Sequence, residues 1–232
     1  MDFKGFGHSE GLRGFIEDRS EFYEEGFDFL VKAREFYQNT YKTVPPIFTM
    51  GYSQGGALSL GIARLLHERS LPPLGGQVFI VPNFRIQTDH WTEEFKAELA
   101  EKSKDPTQQS PFPAKPLKDW SFLLGYYQDE LQFKGPHYSR TLSIVKHVGD
   151  EDFAYMPNIV HPVHVTLAEG DNVLDISEIK KFYETIKTPA HLKGFEGYDS
   201  DHFILSDGWL YEEVAAKQLK WLNSVLEATK SE

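Results

Sequence analysis

With 232 residues, 40% of them hydrophobic and 25% charged, the chain has the composition of a soluble globular protein built on one main core, too short for two comfortable independent domains. A formal net charge of -11 excludes phosphate neutralisation as a route to nucleic acid and sets the protein against an anionic membrane surface. The absence of cysteine excludes a disulfide framework, a thiolate nucleophile and a Cys-based zinc site.

No apolar run approaches the roughly 18 residues that a spanning helix requires, and no charged-then-apolar leader opens the chain. The expectation is a soluble, cytoplasmic protein with no transmembrane segment. After a Gly-rich opening, residues 16–41 set Phe22, Gly26, Phe29, Leu30, Ala33 and Phe36 at helical spacing, with acids early and Lys or Arg later, which predicts an amphipathic helix on that stripe. Pro45 and Pro46 stop it, and "IFTMGYS" predicts a short buried strand running into a turn. Residues 57–69 return to helical spacing, "PPLGG" breaks them, and "QVFIVPN" is a second β-branched run.

From about Phe84 to Asn158 the pattern changes to charged helices, the Pro-rich "DPTQQSPFPAKPLKDW" and an aromatic cluster, and reads as an insertion. Alternation resumes with strand-like "PVHVTLAEGDN", helical "DISEIKKFYETI", strand-like "AHLKGFEGYDSDH" and a closing helix over 211–229. Strands alternating with helices predict an α/β fold, a parallel sheet covered on both faces. The expected organisation is a core in two parts, 1–83 and 159–232, interrupted by the insertion 84–158.

Ser53 stands in Gly51-Tyr52-Ser53-Gln54-Gly55, a G-x-S-x-G pattern between a predicted strand and a predicted helix. Small neighbours let strand and helix approach so closely that the serine hydroxyl projects above the sheet. A serine needs a histidine to take its proton and an acid to fix that histidine's tautomer. Asp171, after "HVTLAEG", opens the loop at a strand end, where the sites of open α/β sheets gather; Glu169 and Asp175 are its local rivals. His202, in "EGYDSDHFILSD", follows the next strand-like run, giving the order Ser, Asp, His. His161 and His164 flank the start of a strand with a three-residue step that puts them on opposite faces, against joint metal binding. His67, His90, His137, His147 and His191 read as surface or satisfied core residues. The opening "GFGHSEG" does not match G-x-G-x-x-G, and no dinucleotide site is expected.

These residues resemble the monoacylglycerol lipase-like branch of the α/β-hydrolase superfamily, also described as serine aminopeptidase S33 or lysophospholipase-like. "DFKGFGHSEG" is similar to the family's D-x-R-G-H-G-x-S-x-G loop, with Lys4 for arginine and Phe6 for histidine. "VPPIFTMGYSQGG" resembles its nucleophile strand and elbow, "YYQDELQFKG" a lid segment with Glu130 in place of proline, and "PVHVTLAEGDNVLD" and "GYDSDHFIL" its acid and histidine segments. The resemblance implies an α/β-hydrolase fold with a helical lid, Ser53 as nucleophile, His202 as general base then acid, Asp171 as orienting carboxylate, and no metal or organic cofactor. It implies an oxyanion donor in the backbone N–H of Gln54 and an elbow shaped by Gly51 and Gly55. Lid residues Trp120, Phe122, Leu123 and Tyr126 would line an acyl pocket or meet a lipid surface, or simply pack the lid onto the body; the resemblance implies lipid-like esters of monoacylglycerol or lysophospholipid type as substrates, with small carboxylic esters behind them.

The family's first strands and its His-Gly oxyanion loop have no counterpart in this sequence, which reads as N-terminally truncated. An open sheet edge at residues 47–50 is therefore expected, and with it either a longer chain or a protein partner on that edge. The alternative to a hydrolase is an impaired relative acting as a structural or assembly subunit.

Overall fold

A computed structural model describes residues 1–110, 128–206 and 208–229. Four strands, β1 (Phe48–Tyr52), β2 (Gly76–Ile80), β3 (Val163–Ala168) and β4 (Lys193–Tyr198), form one all-parallel sheet whose spatial order is their chain order. The helices among the described residues are α1 (Arg19–Tyr41), α2 (Gln54–Glu68), α3 (Glu93–Lys102), α4 (Ser139–Val145), α5 (Asp150–Tyr155), α6 (Ile176–Thr185) and α7 (Leu210–Thr229).

β2 and β3 have neighbours on both sides and are buried along their whole length. This is why β2 reads as a nearly continuous apolar run, whereas β3 alternates in sequence and still buries its polar residues, His164 against Trp221 and Thr166 against Gln218 of α7. Odd residues of β2 face α2 and α6: Gln77 Nε2 donates to the Ser59 carbonyl at 2.8 Å, and the Phe79 ring lies 5.1 Å from that of Phe182. Even residues face α7, where Val78 and Ile80 join Val214, Trp221 and Val225 in one apolar cluster. Helices therefore cover both faces, the α/β arrangement expected.

Two local expectations need correction. α1 forms, but the residues it buries are Tyr23, Gly26, Phe27 and Leu30, while Phe29 and Phe36 stand 53% and 57% exposed. α1 carries aromatic residues on more than one face, so a 3.6-residue period fits two stripes. β1, read as a buried strand, is an end strand of the sheet among the described residues, with Met50 58% exposed, at the place of the expected open edge.

The described chain divides into two compact units, Met1–Leu30 with Thr88–Lys146 and Val31–Gln87 with His147–Glu232. In the first, the Asp2 carboxylate accepts the His8 N–H at 2.9 Å, Thr141 Oγ1 accepts the Ile16 N–H at 2.9 Å, and Phe15 meets Tyr138 edge to face. The second holds the whole sheet. In it, buried Asp152 of α5 accepts from Arg64 Nε of α2 at 2.7 Å and from the Gly149 N–H at 2.9 Å, so this buried charge has its partners. Trp120, Phe122, Leu123 and Tyr126, expected in the lid, lie outside the described residues.

The sheet also buries two histidines, on opposite faces as expected. His161 Nε2 donates to Gln77 Oε1 at 2.7 Å on the α2 side, and the His164 ring packs 5.4 Å from Trp221 of α7. Burial lowers both to about 4, with Lys217 adding to and Glu196 opposing the shift at His164. Because these folded values lie below the unfolded value of 6.5, the unfolded chain takes up the protons first and stability falls as pH drops from 6.5 towards 4. Each histidine is expected to withdraw roughly 2 kcal/mol by about pH 5. Urea unfolding at pH 7.5 and pH 5 checks this, and His164→Phe should flatten the dependence by about half. Equal stability of the wild-type protein at the two values would refute it.

Candidate active site

β1 ends at Tyr52, and α2 begins at Gln54. The reversal is made in one residue: Ser53 has φ 51° and ψ -117°, a left-handed conformation that non-glycine residues rarely adopt. What holds it is backbone bonding on both sides. The Ser53 N–H donates to the Ile80 carbonyl at 3.0 Å, and the Ser53 carbonyl accepts from Gly56 at 2.9 Å and Asn83 at 2.8 Å. Glycine is needed where strand and helix meet: a Cβ on Gly51 would stand 2.2 Å from the Gly55 carbonyl oxygen, and one on Gly56 2.5 Å from Pro82 Cβ. A Cβ on Gly55 meets nothing within 4 Å.

Asp171 and His202 follow β3 and β4, which lie beyond β2 in the same sheet, so parallel order brings all three residues to the carboxyl ends of the strands. His202 Nε2 lies 2.9 Å from Ser53 Oγ, and His202 Nδ1 lies 2.8 Å from Asp171 Oδ2. Asp171 Oδ1 accepts the N–H groups of Val173 at 2.8 Å and Leu174 at 2.9 Å, so both its oxygens are committed. Asp171 and His202 are buried, while Ser53 is only partly covered. With the carboxylate accepting from Nδ1–H, Nε2 carries the free lone pair and can take the proton of Oγ. Both rivals of Asp171 are engaged elsewhere: Glu169 pairs with Lys180 at 3.1 Å, and Asp175 caps α6 through the Ser177 N–H.

Gln54 occupies the first position of α2, where a backbone N–H has no acceptor within its own helix. Its side-chain oxygen accepts from Asn83 Nδ2 at 2.9 Å. Asn83 thus grips the elbow twice, at the Ser53 carbonyl and at the Gln54 side chain. Gln87 steadies the Asp171 loop, donating from Nε2 to the carbonyls of Asp171 at 3.1 Å and Leu174 at 2.8 Å. The sequence singled out neither Asn83 nor Gln87. Asn83 carried one usable signal, its place just past a predicted strand next to the elbow strand; Gln87 carried none. Among the described residues, no three His, Asp or Glu side chains gather as a metal ion would need.

The family described as "Serine aminopeptidase, S33" matches residues 1–206. No curated protein matches. Among solved structures, the chain is similar to the monoacylglycerol lipase of Paleococcus ferrophilus, with TM-score 0.70 and 20% identity over 97% of this chain and 82% of that one. A soluble variant of monoglyceride lipase from Saccharomyces cerevisiae, in complex with a substrate analog, gives TM-score 0.74 and 16% identity over 97% and 76%. A thermophilic esterase from Thermogutta terrifontis gives 0.62 and 17% over 97% and 78%. With its parallel sheet flanked by helices and a family match that spans most of its length, the chain belongs to the serine aminopeptidase S33 family of α/β-hydrolases.

Proposed function

We propose that the protein is a serine hydrolase cleaving carboxylic esters of lipid-like substrates, of monoacylglycerol or lysophospholipid type, through Ser53, His202 and Asp171. The observation that carries this reading is the continuous hydrogen-bonded line from Asp171 Oδ2 through His202 to Ser53 Oγ, at 2.8 and 2.9 Å. Ser53 Oγ attacks the ester carbonyl as His202 Nε2 takes its proton, and the Gln54 N–H donates to the oxyanion. The same proton passes to the departing alcohol. Water, activated in turn by His202, then releases the acid from the acyl-enzyme. The lipid-like acyl group is supported by the lipases among the structures of similar fold, and by the aromatic residues of the insertion in the sequence.

The test is intact mass after exposure to a fluorophosphonate, with hydrolysis of monoacylglycerols and lysophospholipids of graded chain length. One adduct on Ser53 is expected, with Ser53→Ala unlabelled and hydrolysis reduced at least about 10,000-fold. No adduct, from a preparation in which a reference serine hydrolase labels, would overturn the reading. Among the described residues β1 ends the sheet and Met50 is exposed, and a second reading is a subunit that lends this strand to a protein partner. That reading requires an unlabelled Ser53 and a partner that protects β1 amides from hydrogen exchange.

A further inference from the structure

We propose that Tyr52 is a positioning residue that holds His202 at the distance Ser53 requires; this rests on the hydrolase reading above. Tyr52 is the last residue of β1, paired in register with Ile80 of β2, so its side chain springs from backbone fixed by the sheet. The phenol donates to the main-chain carbonyl of His202 at 2.8 Å. Its ring also lies against the imidazole, with centroids 5.6 Å apart and planes 29° from parallel. One side chain therefore grips both the backbone and the ring of the base. Phe203 closes on the imidazole edge to face at 5.5 Å.

The consequence is a short mechanical link. His202 sits in a turn beyond β4, preceded by Ser200 and Asp201, and such a loop can swing unless its main chain is tied down. Tyr52 ties it to the residue adjoining the nucleophile, so that movement of the elbow carries the base with it. The Asp171 contact fixes the direction of Nδ1, and the loop main chain is held on either side of His202, where the Gly170 N–H donates to the Ser200 carbonyl at 2.9 Å and Asp201 accepts the Phe203 N–H at 2.9 Å; the phenol bond adds the restraint at His202 itself. Burial, with the nearby charges of Asp171 and Asp201, raises the phenol above its ordinary value and keeps it a donor throughout the neutral range.

Tyr52→Phe keeps the ring and removes the donor. It is expected to lower kcat about 10- to 100-fold with KM within about twofold, as a displacement of roughly an ångström at a catalytic group does. Fluorophosphonate labelling should slow by the same factor. By NMR, the His202 Nδ1 proton should exchange with solvent at least about tenfold faster than in the wild type. A purely structural role would lower the melting temperature and leave kcat of the folded variant unchanged; that result, with an unaltered Nδ1 proton, would overturn the proposal. Should the wild-type protein neither hydrolyse esters nor label, the hydrolase reading fails on its own, and the Nδ1 exchange comparison still decides what Tyr52 does. Should Tyr52→Phe not fold, the wild-type protein decides by nuclear Overhauser contacts between the rings of Tyr52 and His202: their presence supports the clamp and their absence refutes it.

Discussion

Asp171→Asn is expected to lower kcat/KM for ester hydrolysis by about 10,000-fold while the protein stays folded. The substitution is nearly isosteric, and the size of the effect follows from how the amide must orient. Asp171 Oδ1 accepts the N–H groups of Val173 and Leu174, and only the amide oxygen of an asparagine can take that place. The amide nitrogen is thereby forced into the position of Oδ2, facing His202 Nδ1. A donor there requires Nδ1 to be the acceptor, which moves the ring proton to Nε2. Nε2–H then points at Ser53 Oγ and cannot take its proton, so the base is lost through its tautomer and not through displacement. Two measurements check this. Fluorophosphonate labelling of Ser53 should slow in parallel with kcat/KM, and the melting temperature should change by only a few degrees. Asp171→Asn combined with Ser53→Ala should be no worse than Ser53→Ala alone, because the groups act as a unit. Activity within about tenfold of the wild type would mean that Asp171 does not orient the base.

How much of this was legible in the sequence depends on whether the signal is local. β2 announces itself because a strand buried on both faces is apolar nearly throughout, as "QVFIV" is, while β3 is marked by its β-branched residues although His164 and Thr166 interrupt "VHVTLA". Ser53, Asp171 and His202 could be nominated together because parallel strands deliver their following loops to one end of the sheet. Burial of β1 could not be read the same way. Whether Met50 is covered depends on what lies beyond the strand, and nothing in "FTMGY" encodes that. α1 misleads for a different reason: Phe29 and Phe36 are as apolar as Phe27 and Leu30, so the pattern does not say which stripe turns inward. Tyr52 and Asn83 escaped because their tasks are set by partners 150 and 29 residues away. The variable position of a G-x-S-x-G pattern says nothing of such a bond.

The glycines of the elbow separate pattern from physics, since the sequence pattern weights Gly51 and Gly55 alike and the backbone does not. Gly51→Ala puts a methyl 2.2 Å from the Gly55 carbonyl oxygen and 2.5 Å from the Gly56 nitrogen, all main chain, with no side chain to move aside. Relief comes only by lifting the start of α2 off β1, which breaks the elbow bonds from Gly56 and Asn83 to the Ser53 carbonyl. A loss of about 3 kcal/mol or more is expected, at the upper end for overpacking, with fluorophosphonate labelling abolished in whatever remains folded. Gly56→Ala, opposed by Pro82 Cβ at 2.5 Å and Cα at 2.8 Å, should follow closely. Gly55→Ala should do the reverse: the methyl meets nothing within 4 Å, and alanine in a helix is favoured over glycine by about 0.5 to 1 kcal/mol. Urea midpoints of the three variants give the order directly. A Gly55→Ala variant as unstable as Gly51→Ala would mean that α2 approaches β1 differently, and the closeness of strand and helix would no longer explain why Ser53 turns so sharply.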